Sequence, residues 1–230
     1  MFREAINTQK IAFTLAEVLI TLLIIGIVAS LVIPAIINDT QNQEFYTLLK
    51  KDYSMLSDTA KMIMIENGGT LAGLFHNHNE MLSIFGNYLI YTKKCYENAE
   101  GCFYSGTNTW NNLNGNDGSF DHTNFSTAIL QNGGTIMFRF RRSDCEYNYG
   151  SGSPAEHSCG FLHIDVNGFK GPNILGRDLF AFWVTKIGIH PFGMYNDIFS
   201  NLNQFCSKDY VIEDSGRGCA AKVLKGESIP

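Results

Sequence analysis

Charge is scarce in this chain. Asp, Glu, Lys and Arg make up 17% of its 230 residues, against about a quarter in ordinary soluble domains. Basic residues are not in excess: 17 Lys and Arg stand against 22 Asp and Glu, for a formal net charge of −5. That balance argues against nucleic acid as a partner, since nucleic-acid binders carry a basic patch or a high pI. The Cys-x-x-Cys pair is missing, and the cysteine spacings match neither a zinc finger nor a zinc ribbon. A phosphate loop is also missing: Gly68-Gly69, Gly133-Gly134 and Gly150-Ser151-Gly152 lack the lysine and the strand-to-helix setting of that motif. His122, His157, His163 and His190 are scattered, so no Ser/His/Asp or Cys/His spacing supports an enzyme. His76 and His78 form a His-x-His pair, but at i and i+2 on a helix they point apart, and no acid or cysteine cluster completes a metal site. Disorder is excluded too, because 17 Phe, 10 Tyr and 2 Trp can supply a core.

What is present is unevenly spread. Residues 18–37, VLITLLIIGIVASLVIPAII, carry no charge. As a helix such a run spans about 30 Å, the thickness of a bilayer's hydrocarbon core. Nothing else in the chain compares with it. Arg3 and Lys10 precede the run with Glu4 as the acid among them, and the first charge after it is Asp39. The positive-inside rule then keeps the short N-terminus in the cytoplasm and exports the rest. Cys95, Cys102, Cys145, Cys159, Cys206 and Cys219 all fall in the exported part. An even count there points to disulfides, with connectivity open. Sequential pairing is the simplest choice, since each short loop would pin a Gly- or Asn-rich region. Unpaired buried thiols are the alternative.

Just ahead of the run stands Phe13-Thr14-Leu15-Ala16-Glu17. Extended back through Ile11 and Ala12, the apolar stretch contains one charge, Glu17. A carboxylate in hydrocarbon is costly unless paired, so it reads as functional by default. A place at the membrane edge, with the carboxylate reaching water, is the bland alternative.

Residues 11–37, IAFTLAEVLITLLIIGIVASLVIPAII, resemble the class III signal of type IV pilins and type II secretion pseudopilins. The shared pattern is a short charged leader, a small residue, then Phe-Thr-Leu-x-Glu and an apolar helix, with Gly26 and Pro34 where such pilins commonly carry Gly and Pro. The resemblance implies that a prepilin peptidase cuts between Ala12 and Phe13 and methylates the new amine of Phe13. The family usually has Gly before the cut, and this chain departs from it at Ala12. Glu17 then lies at i+4 from the new amine. In the family that carboxylate meets the amine of a neighbouring subunit, which neutralises two charges in lipid. A cut ahead of the apolar core keeps the anchor, unlike a secretory cut; release near residues 28–30 is the rival reading. The implied protein is a structural subunit and not an enzyme: a pseudopilin or minor pilin of a type II secretion or type IV pilus filament. Its implied partners are the prepilin peptidase, other pilin-like subunits and the bacterial inner membrane, with the head periplasmic or extracellular. The alternative is a membrane-anchored binding module, an adhesin or DNA-uptake minor pilin.

Beyond the apolar run, Phe45, Leu49, Asp52 or Tyr53, Leu56, Ala60 and Ile63 recur at helical steps, and Asn67-Gly68-Gly69 is a strong stop. One helix over residues 13–66 is expected, membrane-spanning at about 15–37, after a leader of residues 1–12 and before a head of residues 67–230. A second helix is expected over 74–90, with Phe75, Leu82, Phe85 and Leu89 on one side. Residues 98–124 read as an irregular loop anchored by Trp110 and Leu113. Strands are expected at 135–141, 160–166, 178–186 and 187–192, as an antiparallel meander with one apolar face covered by the long helix. The fold class is therefore α+β and pilin-like, with a disulfide-stapled head. Arg139, Arg141 and Arg142 form a basic strip, read as the solvated side of an edge strand or, under the DNA-uptake alternative, as a DNA contact. Loop 165–178 carries Asp165, Asn167 and Asp178, oxygens suited to Ca²⁺ and similar in place to a loop that binds calcium in some pseudopilins. An Asn-Gly turn followed by a Gly-Pro-Asn turn accounts for the same residues without a cofactor. Residues 220–224 read as a last short helix.

Overall fold

The computed structural model describes residues 14–97, 100–104, 110–118, 124–210 and 214–229. The chain folds as two units divided after Gln41. One helix, α1, covers Leu15–Glu66, with Pro34 inside it.

In the first unit the helix is apolar on every side and exposed, with Leu15 at 81% and Leu31 at 73% of full exposure. It is long and apolar enough to cross a membrane. Its hydroxyls need no water. Thr21 donates to the Val18 carbonyl at 2.9 Å, Ser30 to Ile27 at 2.8 Å and Thr40 to Ile36 at 2.9 Å. Such back-bonding satisfies each polar group within the helix, as an apolar solvent requires.

In the second unit α1 is one-sided. Phe45, Leu49, Asp52, Leu56, Ala60 and Ile63 are all buried, on the face that the helical period puts together. The helix stops at Asn67: Gly69 N–H donates to the Met64 carbonyl at 2.7 Å, and the Asn67 amide reaches the Ile63 carbonyl at 2.7 Å. Helix α2 is His78–Phe85, capped by the Asn77 side chain on Glu80 N–H. It is shorter than the expected 74–90, because Phe75 and Leu89 enter the core from flanking turns.

Six strands form one antiparallel sheet: β1 (Tyr91–Cys95), β4 (Ser126–Leu130), β5 (Thr135–Phe140), β6 (Ser158–Asp165), β7 (Leu179–Thr185) and β8 (Gly188–Pro191). They are ordered β1-β4-β5-β6-β7-β8, each antiparallel to its neighbour. A separate ribbon pairs β2 (Trp110–Asn111) with β3 (Asp117–Gly118). Two further helices close the chain, α3 (Leu202–Phe205) and α4 (Cys219–Leu224). The fold is α+β.

Two features correct the sequence reading. First, β5 is an interior strand, so Arg139 does not lie on a solvated edge. The true edges are β1 and β8, and β1 carries exposed Lys93 and Lys94, charges that discourage edge-to-edge pairing. Second, both faces of the sheet are covered. Ile136, Phe138, Leu162, Ile164, Phe182 and Val184 pack with the buried side of α1 and α2. The alternate residues Met137, Phe161, Ala181 and Trp183 pack on the other face with Phe103, Tyr104 and Phe192 from loops.

Candidate assembly site and the loaded loop of the head

The assembly candidate is built on the first turn of α1. Ala12 and Phe13 lie outside the described residues. Thr14 precedes the helix, and its N–H and hydroxyl both reach Glu17 Oε2 at 2.8 Å. Glu17 N–H donates back to Thr14 Oγ1 at 3.3 Å. This reciprocal pair is a capping box, in which two orphan N–H groups at a helix start find side-chain acceptors. Negative charge in the first turn also complements the helix dipole. Sequence reasoning weighed Glu17 against lipid and overlooked Thr14, although Thr-x-x-Glu is a readable capping signal. The arrangement holds one anionic carboxylate at the head of the charge-free stretch of α1, where its most effective partner is a cation.

Loop 165–178 gathers oxygens around one protein group. The Tyr104 hydroxyl lies 2.6 Å from Asp165 Oδ2, 2.5 Å from the Gly168 carbonyl and 2.7 Å from Asn173 Oδ1. One hydroxyl proton cannot serve three acceptors at once. Burial and the neighbouring Asp178 charge push Asp165 up to about 8. Asp178 is raised by burial, while its oxygens accept from Ile174 N–H at 2.6 Å and Asn173 N–H at 2.8 Å. Asn167 reaches the Gly171 carbonyl at 3.0 Å through its Nδ2, and its Oδ1 is buried without a partner. Gly168 has φ +67°, and a Cβ there would stand 2.2 Å from the Gly133 carbonyl, which is why the turn after β6 needs glycine. The Gly171–Pro172 peptide is cis.

As the loop stands it does not fit calcium. Asp165 Oδ2, the Gly168 carbonyl and Asn173 Oδ1 are already centred on the Tyr104 hydroxyl, and a cation collecting them would have to displace it. Asp165, Asn167 and Asp178 are brought to one loop, but Asp165 serves a tyrosine hub, Asp178 a backbone cap, and Asn167 reaches the Gly171 carbonyl. Tyr104 was not legible as the hub, because it lies 61 residues from Asp165 in the chain.

Three disulfides join Cys95 to Cys102, Cys145 to Cys159 and Cys206 to Cys219, the sequential pairing. Trp110 and Leu113 are buried, as anchors of their loop. His76 pairs with Glu80 at 2.9 Å and His157 with Glu146 at 2.7 Å, and no cluster of three or more metal-ligating side chains occurs among the described residues. Arg142 is paired with Asp144.

Comparison of the chain with known protein families, with curated proteins and with solved structures returns no match.

Proposed function

We propose that this chain is a pilin-like structural subunit, a pseudopilin or minor pilin of a type II secretion or type IV pilus filament. In this reading a prepilin peptidase in the inner membrane cuts between Ala12 and Phe13 and methylates Phe13. The trimmed chain then enters a filament through the apolar part of α1, and the head is carried on the periplasmic or extracellular side. The observation that supports it is a helix free of charge from residue 18 to residue 37, with its large apolar side chains exposed, headed by a single capped carboxylate, Glu17.

The physical reasoning runs through that carboxylate. In the precursor its partners are the Thr14 N–H and hydroxyl, both neutral. A charged amine is a stronger partner, since a hydrogen bond with both groups ionised is roughly twice as strong as a neutral one. Trimming creates such an amine on every copy. A copy in the bundle lowers its energy by matching its own Glu17 to the next copy's amine, which sets the axial register. The apolar surface then exchanges lipid for neighbouring helices.

Intact mass and N-terminal analysis of protein from its native membrane test this reading. The expected chain starts at N-methylated Phe13; a chain starting at Met1 or near Ser30 overturns it. Glu17→Gln is expected to leave trimming intact and remove the subunit from filaments, and unchanged incorporation would refute the role given to Glu17.

A further inference from the structure

The sheet face away from α1 carries a pocket. We infer that it is a binding site for a small organic carboxylate on a flat body of about one ring.

Its cavity measures ≈ 180 Å³ and is lined by three arginines, Arg139, Arg141 and Arg217, among aromatic rings. An apolar cavity of about 150 Å³ accepts benzene, so the space suits a one-ring ligand. Strand alternation places the groups. Arg139 on β5 stands opposite Phe161 on β6, and Phe161 opposite Trp183 on β7, so the three share one sheet face. Arg141 follows two residues after Arg139, just past the end of β5. Arg217 is brought in by the turn that leads into α4, and its guanidinium lies 5.6 Å from the Phe199 ring centre. The other two lie against Phe161, Arg139 at 5.8 Å and Arg141 at 5.4 Å. Rings hold guanidiniums by their faces, which leaves the N–H edges for an acceptor.

The charge balance is uneven. Arg217 has a carboxylate partner, Asp214, at 2.8 Å. Arg141 has no ion pair among the described residues, and its Nε is buried without a hydrogen bond. His163, fully buried in the lining, is held neutral by burial and by the Arg217 and Arg139 charges. Arg141 is half-buried, and a cation without an anion is costly there; a ligand carboxylate would supply the missing charge and a fork-matched pair of acceptors.

The walls are fixed beforehand. Buried Asp197 accepts from Trp183 Nε1, Gly193 N–H and Phe199 N–H, each at 2.9 Å. That ties Trp183 to the loop bearing Phe192 and Phe199, whose rings stack on it at 3.8 and 6.0 Å. The Cys206–Cys219 disulfide closes the segment that carries Arg217. A preformed wall loses little entropy on binding.

The test uses the full chain in detergent and three ligands of one size: benzoate, benzamide and benzamidine. Glucuronate is added to separate a sugar acid from an aromatic acid as the source of the carboxylate. Trp183 emission is the readout, with Trp110→Phe to silence the second tryptophan and calorimetry on the unmodified chain as a check. Saturable binding of benzoate or glucuronate is expected, weaker in high salt, with benzamide at least about tenfold weaker and benzamidine silent. Arg141→Met is expected to weaken carboxylate binding about tenfold, and Arg141→Lys less so. Benzamide binding as tightly as benzoate overturns the inference, as does the absence of saturable carboxylate binding up to about 10 mM. The ligand series on the unmodified chain decides the matter even where a variant fails to fold.

Discussion

The two faces of the sheet are buried by different means. The face toward α1 is mostly aliphatic and is closed by helices, with Leu49, Leu56 and Ile63 lying against Ile136, Leu162 and Val184. The opposite face is aromatic and is closed by loops, with Phe161, Trp183, Phe192 and Phe199 at its centre. The Cys145–Cys159 disulfide lies buried on the first face, and there a long amphipathic helix brings its own backbone hydrogen bonds. Loops do not, so the second face relies on side-chain hubs at Tyr104 and Asp197 and on the Cys206–Cys219 disulfide. The difference teaches where specificity is placed. Under the helix the buried polar side chains of α1 are Asp52 and Thr59, whereas loops over aromatic rings admit three arginines and a buried histidine.

Truncation on the helix face breaks the comparison most severely. Phe182 is fully buried and stacks on Tyr53 of α1 at 5.5 Å. Phe182→Ala is expected to destabilise the head by about 3–5 kcal/mol in a denaturant melt of the full chain in detergent. Ligand binding at the arginine pocket should vanish only when the whole head unfolds.

Removal of the loop-face disulfide should be smaller and local. The Cys206→Ser, Cys219→Ser double variant is expected to lose about 2–4 kcal/mol. Limited proteolysis should open residues 199–219 before the rest of the sheet. Simultaneous cleavage on both faces would mean that the faces do not differ in this way.

The smallest effect isolates an acid buried on the helix face. Asp52 is buried, accepts from the Asn132 amide at 2.9 Å, and has its other oxygen unpaired. Burial raises its carboxyl to about 6 from 3.8. The folded state therefore holds a proton that the unfolded state has lost. The stability this confers is full below about pH 4 and is lost as pH rises through about 6. Asp52→Asn should flatten that slope and stabilise the head by about 1–3 kcal/mol at pH 7.5, with little change at pH 4. A melt series across this range reads it directly, and an unaltered slope would assign the dependence to other groups.

Legibility in the sequence followed the strength of periodicity. The α1 face over 45–63 and the alternation of residues 135–141 were plain, because each repeats a single spacing toward one core. Strands β1 and β4 were not seen. The sequence of β1, YTKKC, is an exposed edge with no apolar alternation, and β4, STAIL, is short and follows a polar stretch. The second buried face escaped for a different reason. Its cover comes from Phe103, Tyr104, Phe192 and Phe199, which lie in turns without any period. The arginine pocket followed from that omission: a strand with arginines at alternate positions reads as a solvated edge until its place in the sheet is known.

By itself the sequence determined the charge-free run, the lone Glu17 just ahead of it, the helical face that follows and the glycine stop, since each depends on neighbours no more than a few turns away. Tertiary structure alone decided that β5 is interior, that Tyr104 centres the loop after β6, and that Arg217 joins the distant Arg139 and Arg141 in lining one cavity. Those outcomes depend on strand order and loop closure. Both are set by long-range packing, which local spacing does not encode.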